Sequence, residues 1–166
     1  MRAMPTLTAQ AICHEAFAPY GWLIDAARHV GQSINEGSSQ RIDGLTELAL
    51  SAEGGRACLA VFKAKRRDPA GPWHELERHR FGTQTFIPLN GVRYLVLVAS
   101  GGVQPDVATL AAFVVGGHQG ITLRAGTWHH GLLALDDGDF VVIERCAALA
   151  DCDTVRLPLP TRILLP

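Results

Sequence analysis

Short apolar segments separated by turn residues dominate the chain from residue 56 onward. Most are about four to eight residues long and bounded by Gly, Pro, Asn or Asp, as strands are: RACLAVFKA, HELERHRF, TQTFIP, VRYLVLVA, LAAFVVG, GITLRAG, HGLLALD and DFVVIERC. Such regular short strands are typical of an all-β sandwich or barrel. The sequence PDVATL predicts one helical turn with Asp106 near its start, and DDGD at residues 136–139 predicts a tight hairpin turn.

The first 55 residues have a mixed pattern. Helical spacing predicts a helix over residues 7–17, with Thr8 as its N-cap and Pro19 and Gly21 after its end. GWLIDAA then predicts a short strand, and GQSINEGSSQRIDG predicts a loop or hairpin. The proline-rich end, RLPLPTRILLP, is expected to lie across the sheet or to reach a neighbouring subunit. We therefore expect one domain over residues 1–166, a small N-terminal α/β segment wrapped on a β-barrel.

Composition narrows the functional classes. A formal net charge of −1 offers no basic excess for phosphate contacts, which argues against a nucleic-acid partner. No apolar run approaches the roughly 20 residues of a membrane helix, and the N-terminus lacks the apolar region of a secretory signal. The four cysteines match no paired zinc motif, so we expect reduced thiols in a cytoplasmic protein.

The segment HELERH, residues 74–79, concentrates titratable side chains within a predicted strand. Side chains two apart share a face, so Glu77 and His79 lie on one face, and Leu76 and Arg78 lie on the other. An isolated charged strand is usually solvated, but this one leads directly into the apolar TFIPL strand. A second histidine-containing segment, GTWHHG, has similar chemistry. The two segments are therefore predicted to meet inside the barrel.

The spacing of these residues resembles the two motifs of the cupin barrel family. Glu77-x-His79, then Gln84, then Gly91 occupies the first motif, and Gly-Thr-Trp-His ending at His129 occupies the second. The ligand positions therefore read Glu77, His79, Gln84 and His129, where the family commonly has His and Glu at the first and third. Such a set suits a borderline divalent cation such as Ni²⁺, Mn²⁺ or Zn²⁺. A metal-free site, in which the same residues act as acid, base and hydrogen-bond donors, is the alternative.

A longer resemblance extends over most of the chain. HELERHRFGTQTFIPLNG, GTWHHGLLAL, HEAFAPYGWLID, SINEG and QPDVATLAAFVVGGHQGITLRAGTWHH are similar to the ureidoglycolate lyase family of allantoin degradation. The resemblance implies a mainly β, cupin-like jelly roll with a few short helices. It also implies cleavage of (S)-ureidoglycolate to glyoxylate and urea by a cytoplasmic homodimer. A nickel-type divalent metal is implied as the cofactor, and no organic cofactor. The chain departs from the family after SINEG, where only Arg41 matches, and at Gly131, where the family prefers Pro.

Within this framework Glu77, His79 and His129 are predicted to be catalytic, with Gln84 orienting substrate or metal. Further residues are predicted to bind the substrate, as cations or amides or as a wall of the pocket: Lys63, Arg41, Asn35 and Trp128. Two other functions remain open from the sequence. One is a different metal-dependent cupin enzyme, such as an isomerase or dioxygenase, and the other is a non-catalytic cupin that binds small carboxylates.

Overall fold

Strands form most of the regular structure. The computed structural model describes residues 4–166, which form fifteen strands and one α-helix, α1. The bounds of the strands and of α1 are β1 Thr6–Thr8, β2 Gln10–Ala11, α1 His14–Phe17, β3 Gly21–Ile24, β4 Gln32–Ile34, β5 Ser39–Arg41, β6 Arg56–Ala64, β7 Trp73–His79, β8 Gln84–Pro88, β9 Tyr94–Ala99, β10 Ala111–Val115, β11 Gly120–Leu123, β12 Trp128–His129, β13 Leu133–Ala134, β14 Gly138–Cys146 and β15 Cys152–Leu164. Single 3₁₀ turns lie at Ala26–Arg28, Asn35–Gly37, Ala52–Gly54 and Val107–Thr109.

The strands form two facing sheets and a separate hairpin. The larger sheet has the order β1-β15-β7-β12-β9-β10-β2, with β13 also paired to β9. Its terminal strands β1 and β2 are consecutive in the chain, so the sheet curls until it is nearly closed. The second sheet has the order β3-β11-β8-β14-β6, and β4 pairs only with β5. The fold is therefore mainly β with a barrel-like sheet, which confirms the predicted fold class.

Strand β9 separates two apolar cores. Val96 and Val98 point into the space between the two sheets, whereas Leu95 and Leu97 point into the space enclosed by the curled larger sheet. Alternate residues of a strand face opposite sides, and here both sides are covered. This arrangement explains why YLVLVA is apolar at every position and buried throughout.

The predicted strands agree well with the structure. Every segment predicted as a strand after residue 56 contains one, although HGLLALD contributes only Leu133–Ala134. GWLIDAA contains β3, and the loop-or-hairpin segment is the β4–β5 hairpin. The helical turn is also confirmed, because the Asp106 side chain accepts a hydrogen bond from Ala108 N at 3.0 Å and caps Val107–Thr109. No helix among residues 4–166 is long and apolar enough to cross a membrane.

The prediction of a helix over residues 7–17 is wrong for most of its length. Only His14–Phe17 is helical, whereas Thr6–Thr8 and Gln10–Ala11 are strands. Their backbone groups pair in parallel with β15 and β10, which lie far away in the sequence. Tertiary pairing therefore overrides a local helical pattern here. The helical turn that remains buries Phe17 completely between the sheets.

The two remaining expectations concern the DDGD turn and the C-terminal segment. DDGD does not close a hairpin, because β13 pairs with β9 in one sheet while β14 pairs with β6 and β8 in the other. The turn instead passes the chain between sheets, and Asp136 binds Arg93 at 3.0 Å. The C-terminal segment is strand β15, which lies between β1 and β7 and buries Leu157 and Ile163.

Candidate active site

The predicted histidines and glutamate meet on the face of the larger sheet that is turned toward the smaller one. Strands β7 and β12 are antiparallel neighbours, and His129 lies directly opposite Glu77 in the register. His79 follows Glu77 on the same face of β7, and each of the three offers one ligand atom within 4.8 Å of the others. Gln84 reaches them from β8 in the facing sheet, with Oε1 at 3.1 Å from His129 Nε2. We refer to Glu77, His79, Gln84 and His129 as the central cluster.

The hydrogen bonds of His129 define what the central cluster can hold. Its Nδ1 lies 3.0 Å from Thr127 O, and a carbonyl oxygen only accepts, so Nδ1 carries a hydrogen. The other ring nitrogen, Nε2, faces two oxygens, Gln84 Oε1 at 3.1 Å and Glu77 Oε1 at 3.5 Å. Three atoms with lone pairs therefore converge: His129 Nε2, Gln84 Oε1 and Glu77 Oε1. This arrangement requires a positive species among them, either a proton on Nε2 or a metal cation.

Glu77 supplies the negative charge of the central cluster. A hydrogen bond with His129 holds the pKa of the Glu77 carboxyl below its ordinary value, against burial, which raises it. The positive charge of nearby histidines lowers this pKa further. About a third of the Glu77 side chain is exposed (33%), whereas that of His129 is only 2% exposed. Glu77 is therefore an ionised carboxylate within reach of a small molecule from outside.

His79 has the features of a metal ligand. Its Nε2 is buried and has no hydrogen-bond partner among residues 4–166. Its Nδ1 faces Asp151 Oδ1 at 3.8 Å, and Arg145 Nη1 lies 3.6 Å from the other oxygen of Asp151. A carboxylate that orients the second nitrogen of a ligating histidine is common around protein metal sites. The orphaned His79 Nε2 and the converging lone pairs fit a divalent cation held by Glu77, His79 and His129.

A cavity of about 250 Å³ lies beside the central cluster. His79 lines it together with residues that sequence reasoning missed: Glu144, Cys146, Asp151 and Cys152. Glu144 could have been found, because it continues the inward-facing, apolar alternation of Phe140 and Val142 along β14 with a carboxylate. Asp151 carries no such signal, since it lies in the loop before β15.

Trp128 does not line this site, which corrects its prediction as a pocket wall. The indole is 1% exposed and packs in the core enclosed by the larger sheet. Its Nε1 donates to Gly102 O at 3.1 Å, and the Arg78 guanidinium lies 4.8 Å from the ring centroid. The physical reason is strand alternation, because adjacent residues Trp128 and His129 must point to opposite faces.

The structure also does not bring the three predicted polar substrate-binding residues to the central cluster. Lys63 alternates with inward-facing Phe62 on β6, so it lies on the outer face, where Nζ contacts Asp139 Oδ2 at 3.3 Å. Arg41 pairs with Asp43 at 2.9 Å on the separate hairpin. Asn35 adopts a left-handed turn conformation, φ 51°, at the tip of that hairpin.

The chain is similar to known proteins over nearly its whole length. The sequence profile described as ureidoglycolate lyase matches residues 4–164. The chain is 40% identical over 162 residues to the ureidoglycolate lyase of Burkholderia cepacia, covering 95% of this chain and 89% of the relative. It is 37% identical over 151 residues to that of Azotobacter vinelandii, covering 90% and 91%. The enzyme of Pseudomonas syringae pv. tomato is 36% identical, with 90% and 89% covered.

Proposed function

The chain belongs to the ureidoglycolate lyase family, and from this premise we propose that the central cluster cleaves (S)-ureidoglycolate to glyoxylate and urea in purine catabolism. The observation that carries this proposal is the joining of Glu77, His79 and His129 beside a cavity of about 250 Å³. That volume suits a small hydroxy acid.

The reaction is an elimination that needs two proton transfers. The central carbon of ureidoglycolate bears a hydroxyl, a carboxylate and the ureido nitrogen. When the carbon–nitrogen bond breaks, the hydroxyl loses its proton and becomes the aldehyde oxygen of glyoxylate. The ureido nitrogen takes the bonding electrons and one proton and leaves as urea. The site must therefore accept a proton at oxygen and deliver one at nitrogen.

Glu77 is placed to make both transfers. The Glu77 side chain is more exposed than that of its partner His129. The lowered pKa of Glu77 keeps its carboxyl ionised before the reaction. Glu77 accepts the hydroxyl proton and passes it to the leaving nitrogen on the same side of the substrate. His129, 3.5 Å away, stabilises the Glu77 carboxylate before the first transfer and again after the second. The Gln84 amide, fixed by its own hydrogen bonds, orients the bound substrate.

A nickel-type divalent cation is part of the proposal, held by Glu77, His79 and His129 with Gln84 Oε1 as a fourth ligand. When bound, such an ion would polarise the substrate hydroxyl and neutralise the substrate carboxylate. Lys63 and Arg41, which were predicted to neutralise that carboxylate, instead contact Asp139 and Asp43.

The direct test is turnover of (S)-ureidoglycolate with urea, ammonia and glyoxylate detected separately. We expect urea and glyoxylate in equal amounts. We expect His129→Ala to lose at least about a hundredfold in kcat/KM, because it removes the partner that keeps the acid–base group Glu77 ionised. Circular dichroism and thermal unfolding establish that the variant is folded. Undiminished urea release by folded His129→Ala would reject the assignment, and ammonia in place of urea would reject the reaction.

We further propose that the protein is a homodimer that associates through strand β6. This strand is the last in its sheet and pairs only with β14 among the described residues. It exposes Leu59 by 66% and Val61 by 51%. An open, apolar strand edge favours pairing with a second chain. Sedimentation should show a dimer that Val61→Lys converts to monomer, and a wild-type monomer at high protein concentration would contradict this.

Domain organisation and location complete the proposal. We infer a single domain over residues 1–166, supported by β9, whose two faces contribute to both apolar cores. Limited proteolysis should then release no stable fragment. The cytoplasmic location is supported by Cys13, Cys58, Cys146 and Cys152, all of which are free thiols. Cell fractionation tests the location.

A further inference from the structure

A chain of side-chain contacts crosses from one sheet to the other through the central cluster. Glu77 Oε1 lies 3.5 Å from His129 Nε2, and His129 Nε2 lies 3.1 Å from Gln84 Oε1. The Gln84 Nε2 group then donates to Glu144 Oε2 at 2.8 Å. Glu144 is thus the far end of the chain, and it touches neither histidine through a hydrogen bond among the described residues.

The Gln84 amide has two orientations of nearly equal shape, and only its partners distinguish them. A carboxylate oxygen accepts hydrogen bonds and does not donate them, so the group facing Glu144 is the NH₂ of Gln84. The oxygen is then left facing His129. Hydrogen bonds to a charged acceptor are about twice as strong as neutral ones. Gln84 is only 5% exposed, so little water competes for its amide.

The orientation of this amide decides the chemistry of the central cluster. With Oε1 directed inward, Gln84 adds a lone pair to those of Glu77 and the histidines, and the cluster attracts a cation or a proton. With the NH₂ group inward, Gln84 would donate a hydrogen bond to His129 Nε2 and occupy the lone pair there. The cluster would then have one acceptor fewer and one donor more.

The fold holds Glu144 rigidly in the position that this role needs. Glu144 lies directly opposite Gln84 in the antiparallel register of β14 and β8, and β14 is also paired along its full length with β6. Its neighbours on the inward face, Phe140 and Val142, are completely buried. The carboxylate therefore sits on a central strand and not on a mobile loop.

We propose that Glu144 is a positioning residue, which orients the Gln84 amide so that its oxygen faces His129 and the reacting centre. The consequence for turnover rests on the proposed lyase function, whereas the orientation of the amide does not. Glu144 acts through Gln84 and is not itself assigned a proton-transfer step.

The experiment uses the full chain with Glu144→Leu, Glu144→Gln and matched controls at Glu75, an exposed glutamate on β7. Glu144→Leu removes the acceptor, and Glu144→Gln offers either an acceptor or a donor. The first readout is the side-chain NH₂ signal of Gln84 in ¹⁵N–¹H NMR, identified by its loss in Gln84→Glu. We expect its exchange with water to accelerate at least about tenfold in Glu144→Leu and to stay unchanged in Glu75→Leu.

The second readout is steady-state kinetics on ureidoglycolate. Loss of a residue that orients a site group costs about 10–100-fold, so we expect this loss in kcat for Glu144→Leu, with KM little changed. Glu144→Gln should lose less, and Glu75→Gln nothing. An unchanged Gln84 signal in folded Glu144→Leu would overturn the proposal, as would equal activity in the Glu144 and Glu75 variants. Should Glu144→Leu not fold, Glu144→Gln decides both readouts. Failure of the wild type to cleave ureidoglycolate would reject the lyase function, while the NMR signal would still test the amide.

Discussion

The two faces of strands β7 and β12 have opposite properties. On one face Leu76 and Trp128 are 0% and 1% exposed and pack in the core enclosed by the larger sheet. On the other face Glu77 and His129 belong to the polar central cluster, whose member His79 lines a cavity. Residues adjacent in the chain thus differ in role, one packing in the core and the next belonging to the central cluster, because a strand alternates its side chains between its faces.

The physical difference between the faces is whether burial is compensated. Full burial of a large apolar side chain stabilises the fold by about 1.5–3 kcal/mol. A buried polar atom without a partner, such as His79 Nε2, costs about 1–3 kcal/mol instead. The apolar face therefore stabilises the fold. The polar face lowers stability, because some of its buried ligand atoms have no hydrogen-bond partner among the described residues. Substitutions on the two faces should separate stability from activity.

The largest expected effect is on stability, from Trp128→Ala. Removing this buried indole should lower the free energy of unfolding by about 3–5 kcal/mol, measured by urea denaturation. The molecules that remain folded should keep their turnover. Trp22→Ala is a suitable control, because Trp22 is only partly buried and lies against Arg124, 3.9 Å from the ring centroid. An equal loss of unfolding free energy in both variants would contradict the larger contribution expected from the core enclosed by the larger sheet.

Glu77→Gln should have the reverse profile. It keeps the shape of the side chain but removes the proton acceptor, so kcat/KM should fall by about 10²–10⁴-fold. The midpoint of thermal unfolding should move by only a few degrees. Glu75→Gln removes the same charge from the same strand and should leave activity unchanged. Similar kinetics for the two variants would argue against the role of Glu77.

Cation binding should stabilise the folded protein only through ligands on the polar face of β7 and β12. After removal of metal by a chelator, Ni²⁺ at a hundred times its dissociation constant should raise the free energy of unfolding by about 2.7 kcal/mol. His79→Gln should abolish this gain. His74→Gln should preserve it, because His74 alternates to the other face of β7. A gain that survives His79→Gln would place the ion elsewhere.

The smallest effect concerns His130, which directly follows β12. Burial lowers the pKa of His130, whose ring packs against Trp73 at 4.9 Å between centroids. The unfolded chain then takes up a proton more readily than the folded chain. Stability should therefore decline as the pH falls through and below the ordinary histidine value of about 6.5. Urea midpoints between pH 7.5 and about 5 should show this decline and a shallower one in His130→Gln.

Much of the fold could be predicted because strand length, turn residues and period-two alternation are local properties. The nine residues of RACLAVFKA correspond to β6 from end to end. The helix over residues 7–17 could not be excluded locally, because the strands Thr6–Thr8 and Gln10–Ala11 exist only through pairing with β15 and β10. The DDGD turn has the composition of a hairpin turn, and only the sheet assignments of β13 and β14 exclude a hairpin there.

For the candidate site, the sequence alone determined the faces: Glu77 and His79 share one side of a strand because backbone geometry imposes the alternation. The tertiary structure decided which distant groups join them. Glu144 meets Gln84 from 60 residues away, and Asp151 reaches His79 from a loop. It also placed the Trp128 side chain in the core enclosed by the larger sheet and the Lys63 side chain on the outer face of β6. Local alternation is a property of each strand, whereas the pairing and facing of strands depend on how the whole apolar surface is buried, which no single segment specifies.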